Sequence, residues 1–276
     1  MSIMMADLRK ELAEPRLAKT SADFRRVWVK DKLISYFLSF IYNHSTYRKL
    51  VFYGGTCARV VYGLNRLSED IDLHNPGIDV SKLGGDLTKY VTQNMGIEGA
   101  DVYVQGGESG INRFVVRMPI MQELGLAPHM EAKLHVKIEV SGGNQTYNME
   151  KTQILRDGQA MVISHFDKAS LMAGKMIACM ERVWRKGKVT GASVKGRDFY
   201  DLVWYLQNKV QPNIQKLAHD GNESYTEGRA WEILDKKVAK LRKEELGVDL
   251  KGFIEEPVYL SEWLDNFREF YRRGRG

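Results

Sequence analysis

Asp70 and Asp72 stand two apart in the run Asp-Ile-Asp-Leu, so in a β-strand both carboxylates share one face while Ile71 and Leu73 point to the other. Two carboxylates side by side repel unless a cation lies between them. A hard, oxygen-seeking ion such as Mg2+ suits the pair and keeps room for substrate phosphates. Upstream, Leu50, Val51, Phe52 and Tyr53 read as a short apolar strand that runs into Gly54-Gly55, and Thr56 opens a predicted helix over residues 57–62. Strand end, glycine turn and helix start together present free backbone N–H groups to an anion. An anion cradle and a metal pair so close in the chain point to a nucleoside triphosphate (NTP) and its Mg2+, with Mn2+ as the alternative ion.

These groups need elements to position them. Residues 31–42 carry a helical pattern, residues 86–94 a second, and residues 102–104 and 111–118 read as strands. The clearest strand is 134–140, where Leu134, Val136, Ile138 and Val140 alternate with His135, Lys137 and Glu139. If it adjoins the strand of Asp70 and Asp72, Glu139 is a third acid at the metals; otherwise Glu139 faces solvent. From residue 166 the chain reads as helices, over 166–185, 198–207, 226–246 and 260–271. The expected fold is α/β. A mixed-sheet core with leading helices occupies residues 1–160, and a C-terminal helical lobe residues 161–276. A cleft between the two is the expected active site.

The helical half carries the remaining chemistry. Lys168, Lys175 and Arg182 recur every seven residues and drift only about 20° per step, which makes them one stripe. The stripe lies away from the apolar face of Ala169, Ala173, Met176, Ile177, Met180 and Trp184, so geometry alone reads it as solvated, although Leu171 and Ala178 share its side. Arg182, Arg185, Lys186, Lys188, Lys195 and Arg197 follow one another without an acid, and Gly187, Gly191 and Gly196 disfavour a helix there. A basic loop of this kind can neutralise RNA phosphates. Asp198 opens the next helix, where it suits the N-cap. The cations and aromatics of residues 267–275 suit base stacking, or a solvated basic surface.

Composition sets wide bounds. The chain has 276 residues, a formal charge of +6 and ordinary apolar content, which suit a globular protein with a polyanionic partner. Its two cysteines, Cys57 and Cys179, make no disulfide framework and suit a reducing cytosol. The start lacks the apolar stretch of a signal peptide, and residues 33–42 are too short to span a bilayer. A cytoplasmic protein without membrane contact is expected.

Gly-Gly-Thr, Arg66, Ser68, Asp70 and Asp72 together resemble the opening signature of polymerase-beta-like nucleotidyltransferases. In particular they are similar to the abortive-infection, AbiEii-type toxin branch of type IV toxin–antitoxin systems. Thr56 departs from the wider superfamily, where many members have Ser, but it keeps the hydroxyl. A lysine in a partly apolar helix, an arginine two turns on, and a basic loop ending in Arg-Asp-Phe-Tyr-Asp-Leu (197–202) are similar to later motifs of the same branch. Residues 28–33 share something of the family's look, and residues beyond 206 carry no matching motif.

The resemblance implies an Mg2+-dependent nucleotidyltransferase. Asp70 and Asp72 would hold metal, and Gly54, Gly55, Thr56 and Ser68 would cradle phosphates. Arg66 and Lys175 would offset charge as pyrophosphate leaves, and Glu139 or Asp198 would orient or deprotonate the acceptor hydroxyl. It further implies a toxin that adds nucleotides to the 3′ end of tRNA, controlled by a separate antitoxin. Two other readings stay open: a nucleotidyltransferase acting on a small molecule or a protein side chain, and a non-catalytic RNA-binding module.

Overall fold

The computed structural model describes residues 3–106, 110–129, 131–182 and 194–275. The chain forms two compact units, one of Met1–Cys57, Leu67–Gly143 and Lys151–His165, the other of Ala58–Arg66, Asn144–Glu150 and Phe166–Gly276.

The leading helices of the first unit are α1 (Ile3–Leu12), α2 (Pro15–Ala18) and α3 (Ala22–Asn43). Ser21 caps α3 by accepting from the Phe24 N–H at 3.1 Å. Leu33, Ile34, Phe37, Leu38 and Ile41 form its fully buried face. The strands are β1 (Val51–Tyr53), β2 (Asp70–His74), β3 (Asp101–Gly106), β4 (Ile111–Met118), β5 (Leu134–Ser141), β6 (Met149–Arg156) and β7 (Gln159–Phe166). Helix α4 (Gly54–Tyr62) follows β1 directly, and α5 (Leu83–Lys89) runs into a π-turn.

One sheet takes the seven strands in the order β3-β4-β5-β2-β1-β7-β6. It is mixed: β1–β2, β3–β4 and β4–β5 pair antiparallel, whereas β2–β5 and β1–β7 pair parallel. The β6–β7 hairpin turns at Asp157-Gly158, both with positive φ (48° and 72°), as a two-residue type I′ turn requires. The expected mixed-sheet core with C-terminal helices is what the chain adopts.

The second unit holds α6 (Lys168–Glu181), α7 (Gly196–Gln207), α8 (Ile214–His219), α9 (Glu227–Lys240), α10 (Lys243–Leu250) and α11 (Pro257–Arg275). The expected helix from 166 starts two residues later, because Phe166 still belongs to β7 and the Asp167 carboxylate caps α6 at the Ser170 N–H, 2.9 Å away. The expected helix over 226–246 is two helices. Leu241 is extended (φ −63°, ψ 137°), and Glu245 reaches back to the Arg242 N–H at 3.2 Å to start α10. Among the described residues no helix is long and apolar enough to cross a membrane.

Candidate active site

Strand β2 buries Ile71 and Leu73 completely and leaves Asp70 and Asp72 half-buried on its other face. Its parallel neighbour β5 brings Lys137 opposite Asp70 and Glu139 opposite Asp72. Paired residues on adjacent strands point to the same face, so Asp70, Asp72 and Glu139 share one surface. On β4, Arg113 is the register partner of Glu139, and its Nε donates to Glu139 Oε1 at 2.6 Å. With Glu139 drawn to Arg113, no three His, Cys, Asp or Glu side chains among the described residues form a ready cage for an ion. The donor set suits Mg2+ nonetheless, since that ion is commonly held by one or two carboxylates and completed by water and substrate phosphates.

Gly54 begins α4 at φ +80°, and a Cβ there would lie 3.0 Å from Asp72 Cγ. Only glycine allows both that backbone and that approach. Thr56, in the first turn of α4, is buried. Its hydroxyl lies 2.5 Å from Ser68 Oγ and donates to the Asp70 carbonyl. The Ser68 N–H donates to Asp31 Oδ1 at 3.0 Å, and Asp31 is itself ion-paired with Arg156. The two hydroxyls expected at phosphates thus lie against each other and tie the helix start to the approach to β2. Asp31 is a residue the sequence reading does not single out; residues 28–33 only hint at it.

The second unit contains a buried charge cluster. Lys175 Nζ lies 2.8 Å from Asp198 Oδ1 and 2.9 Å from Asp201 Oδ2, with its side chain only 14% exposed. The solvated reading of its stripe is therefore corrected at Lys175, because α7 brings two carboxylates against it. Lys168 lies over the Tyr62 ring, 5.0 Å from its centroid, and Arg182 is half-exposed with Nη1 2.7 Å from Asp198 Oδ2. Arg66 is buried and forks onto Asp201 at 2.6 and 2.7 Å. Asp198 is not an N-cap: it sits in the first turn of α7 behind Lys195 and spends both oxygens on cations.

Burial opposes charge throughout this cluster, and the partners overcome it. It would lower the Lys175 pKa, yet Asp198 and Asp201 hold that pKa above the ordinary lysine range. It would raise Asp198, but Lys175, Arg182 and Lys195 bring that carboxyl down to about 2. Lys195 is lowered, by burial and then by Arg197. Arg197 donates from its backbone N–H and Nε to Asp249 Oδ2 (2.9 and 3.1 Å) and stacks on Phe253. Arg185, Lys186 and Lys188 lie outside the described residues.

Residues 39–275 match the family described as "Nucleotidyl transferase AbiEii toxin, Type IV TA system". The chain belongs to that family. This AbiEii-family protein is accordingly a nucleotidyltransferase toxin of a type IV toxin–antitoxin system, with an NTP substrate and an antitoxin partner. Among solved structures it is similar to JHP933 from Helicobacter pylori, at 17% identity, over 90% of this chain and 93% of that one, with a TM-score of 0.51. That likeness concerns the fold alone. MenT4, a nucleotidyltransferase toxin from Mycobacterium tuberculosis H37Rv, aligns over 95% of this chain and 98% of its own at 13% identity and a TM-score of 0.48. No curated protein matches the AbiEii-family chain.

Proposed function

We propose that this toxin transfers a nucleoside monophosphate from an NTP to the 3′-terminal hydroxyl of tRNA. The observation that carries the reading is the register of β2 and β5, which sets Asp70, Asp72 and Glu139 on one face. Asp70 and Asp72 hold Mg2+, which neutralises triphosphate charge when bound. The first-turn amides at Gly54 and Gly55 receive phosphate oxygens, while Thr56 and Ser68 keep that turn fastened. The acceptor oxygen forms a bond to the α-phosphorus as the bond to the bridging oxygen breaks, and pyrophosphate departs with the charge that Arg66 and Lys175 offset.

Of the two acids able to take the hydroxyl proton, Glu139 is favoured. Asp198 is buried, paired with two cations and very weakly basic at a pKa of about 2. Glu139 is half-buried and borders Asp72 directly. Asp198 instead orients Lys175.

The acceptor is assigned to the basic stretch Arg182, Arg185, Lys186, Lys188, Lys195 and Arg197. An RNA end offers phosphates to these cations and unstacked bases for recognition. Incubation with each labelled NTP and total RNA tests this: label should enter the tRNA band, and do so less as salt rises. Changing Arg185, Lys186 and Lys188 together to Ser should cut RNA labelling and spare NTP binding. Label confined to protein or to small molecules, or undiminished tRNA labelling by the triple variant, overturns the RNA assignment.

A further inference from the structure

Asp201 is absent from every role assigned above, yet it sits at the centre of the second unit's charge cluster. Its Oδ1 accepts from Arg66 Nε at 2.6 Å; its Oδ2 accepts from Arg66 Nη2 at 2.7 Å and faces Lys175 Nζ at 2.9 Å. Asp201 is fully buried and Arg66 nearly so, so this is no screened surface pair. Asp198 and Asp201 are one turn apart on α7, and together they grip the lysine. The segment carrying Arg66 is pinned further. The Arg66 carbonyl accepts from Arg59 at 2.8 Å, and the Tyr200 hydroxyl, next to Asp201 in the chain, donates to Asn65 Oδ1 at 2.8 Å. Arg66 stands four residues ahead of Asp70 in sequence.

We infer that Asp201 is a positioning residue for nucleotide transfer: it clamps Arg66 and Lys175 into one buried cluster and so fixes the charge and the place of the lysine. The inference rests on the proposed contact of Lys175 with the triphosphate. Without the Asp201 charge, Arg66 would face Lys175 as an unshielded like charge. The lysine would keep only Asp198, which it shares with Arg182 and, at longer range, Lys195. The neighbouring helices offer no replacement. On α8, Lys216 is paired with Asp220; on α9, Lys237 donates to the Cys179 and Met180 carbonyls and Asp235 accepts from Tyr271; on α10, Asp249 is engaged by Arg197. The Cys179 thiol, one turn along α6, is kept neutral by burial.

The test is the pH profile of transfer in four variants of the full chain. Lys175→Ala first checks the reading on which this rests: unchanged transfer would end the triphosphate assignment itself. With that loss established, Asp201→Asn should lower kcat about 10²-fold and acquire a fall in rate on the alkaline side, below the ordinary lysine pKa of about 10.4, that the parent lacks. Adding Lys175→Arg to Asp201→Asn should abolish that alkaline fall, because a guanidinium does not deprotonate in this range. A merely structural Asp201 would lower activity equally at all pH values. Should Asp201→Asn fail to fold, Arg66→Gln/Asp201→Asn leaves no buried charge unmatched; its Lys175, without Asp201 but freed of the Arg66 charge, should show a weaker alkaline fall that the parent still lacks. Loss of transfer on Lys175→Ala beside a parental pH profile in the Asp201 variants overturns the inference.

Discussion

Gly54 and Asp72 are packed so closely that the carboxylate fills the space a side chain at position 54 would need. The contact links the turn that offers backbone amides to the strand that offers acids, within the first unit. It also explains why the Gly-Gly-Thr and Asp-Ile-Asp runs belong together: the first is shaped around the second.

Gly54→Ala should therefore damage the site more than the fold. Positive φ in a non-glycine residue costs about 1–2 kcal/mol, a modest fall in Tm, while the Asp72 carboxylate must move. Transfer should drop far more than the stability change accounts for, and Mg2+ affinity by calorimetry should drop with it. Parental Mg2+ binding in a folded Gly54→Ala protein would refute the link.

Asp70→Ala and Asp72→Ala should each reduce transfer by about 10²–10³-fold or more. Both residues are half-buried on one face, so removing either relieves repulsion in the metal-free protein, and Tm should stay near the parent's. Full activity at ordinary Mg2+ in either variant would remove the metal assignment.

Arg113 holds Glu139 at 2.6 Å, and both side chains are partly exposed. Such a pair contributes about 1 kcal/mol or less, so Arg113→Ala should leave Tm almost unchanged. It should release Glu139 toward Asp72 and lower the Mg2+ concentration at half-maximal transfer. Glu139→Gln should raise that concentration and slow the chemical step. An unchanged Mg2+ dependence in both variants would show that Glu139 plays no part at the metals.

Alternation marked β2 and β5 in the sequence, and with them the face of each acid. Their pairing was not legible, because a parallel neighbour is chosen by contacts distant in the chain. The β6–β7 hairpin is marked only by Asp157-Gly158; β6 is mostly exposed, so the period-two signal that would confirm it is weak. The Lys175 stripe shows the same limit from the other side. One helix's periodicity places the lysine away from its own apolar face and says nothing of the α7 acids that cover it. Arg66 and Asp201 are far apart in sequence, and no local pattern announces their fork, although Asp201 stands in the Arg-Asp-Phe-Tyr-Asp-Leu run.

Lys175 and Lys168, one step apart on the stripe, should behave differently. Lys175→Ala leaves Asp198 and Asp201 buried and short of a cation, a change of the kind that costs roughly 3–5 kcal/mol. NTP binding and transfer should also fall. Lys168 makes a cation–π contact with Tyr62 worth about 0.5–1 kcal/mol, so Lys168→Ala should change little. Thermal melts with and without NTP read both effects; an equal, parental stabilisation by NTP in both variants would remove Lys175 from the triphosphate.

Acid should unfold the protein partly through Asp198. Its pKa falls from 3.8 to about 2 because Lys175, Arg182 and Lys195 outweigh its burial. A carboxylate depressed in the folded state contributes stability that is complete above its unfolded pKa and is lost as pH falls through the folded value. That contribution is roughly 2 kcal/mol, lost between about pH 4 and pH 2, and the lowered pKa of Asp201 acts in the same direction. Asp198→Asn should lower stability at neutral pH, since Lys175 and Arg182 lose a partner, and should make Tm fall less steeply below about pH 4. Denaturant melts at stepped pH measure both. If parent and variant lose stability with the same slope across that window, Asp198 does not carry the acid sensitivity, and the cluster's charges are balanced by other groups.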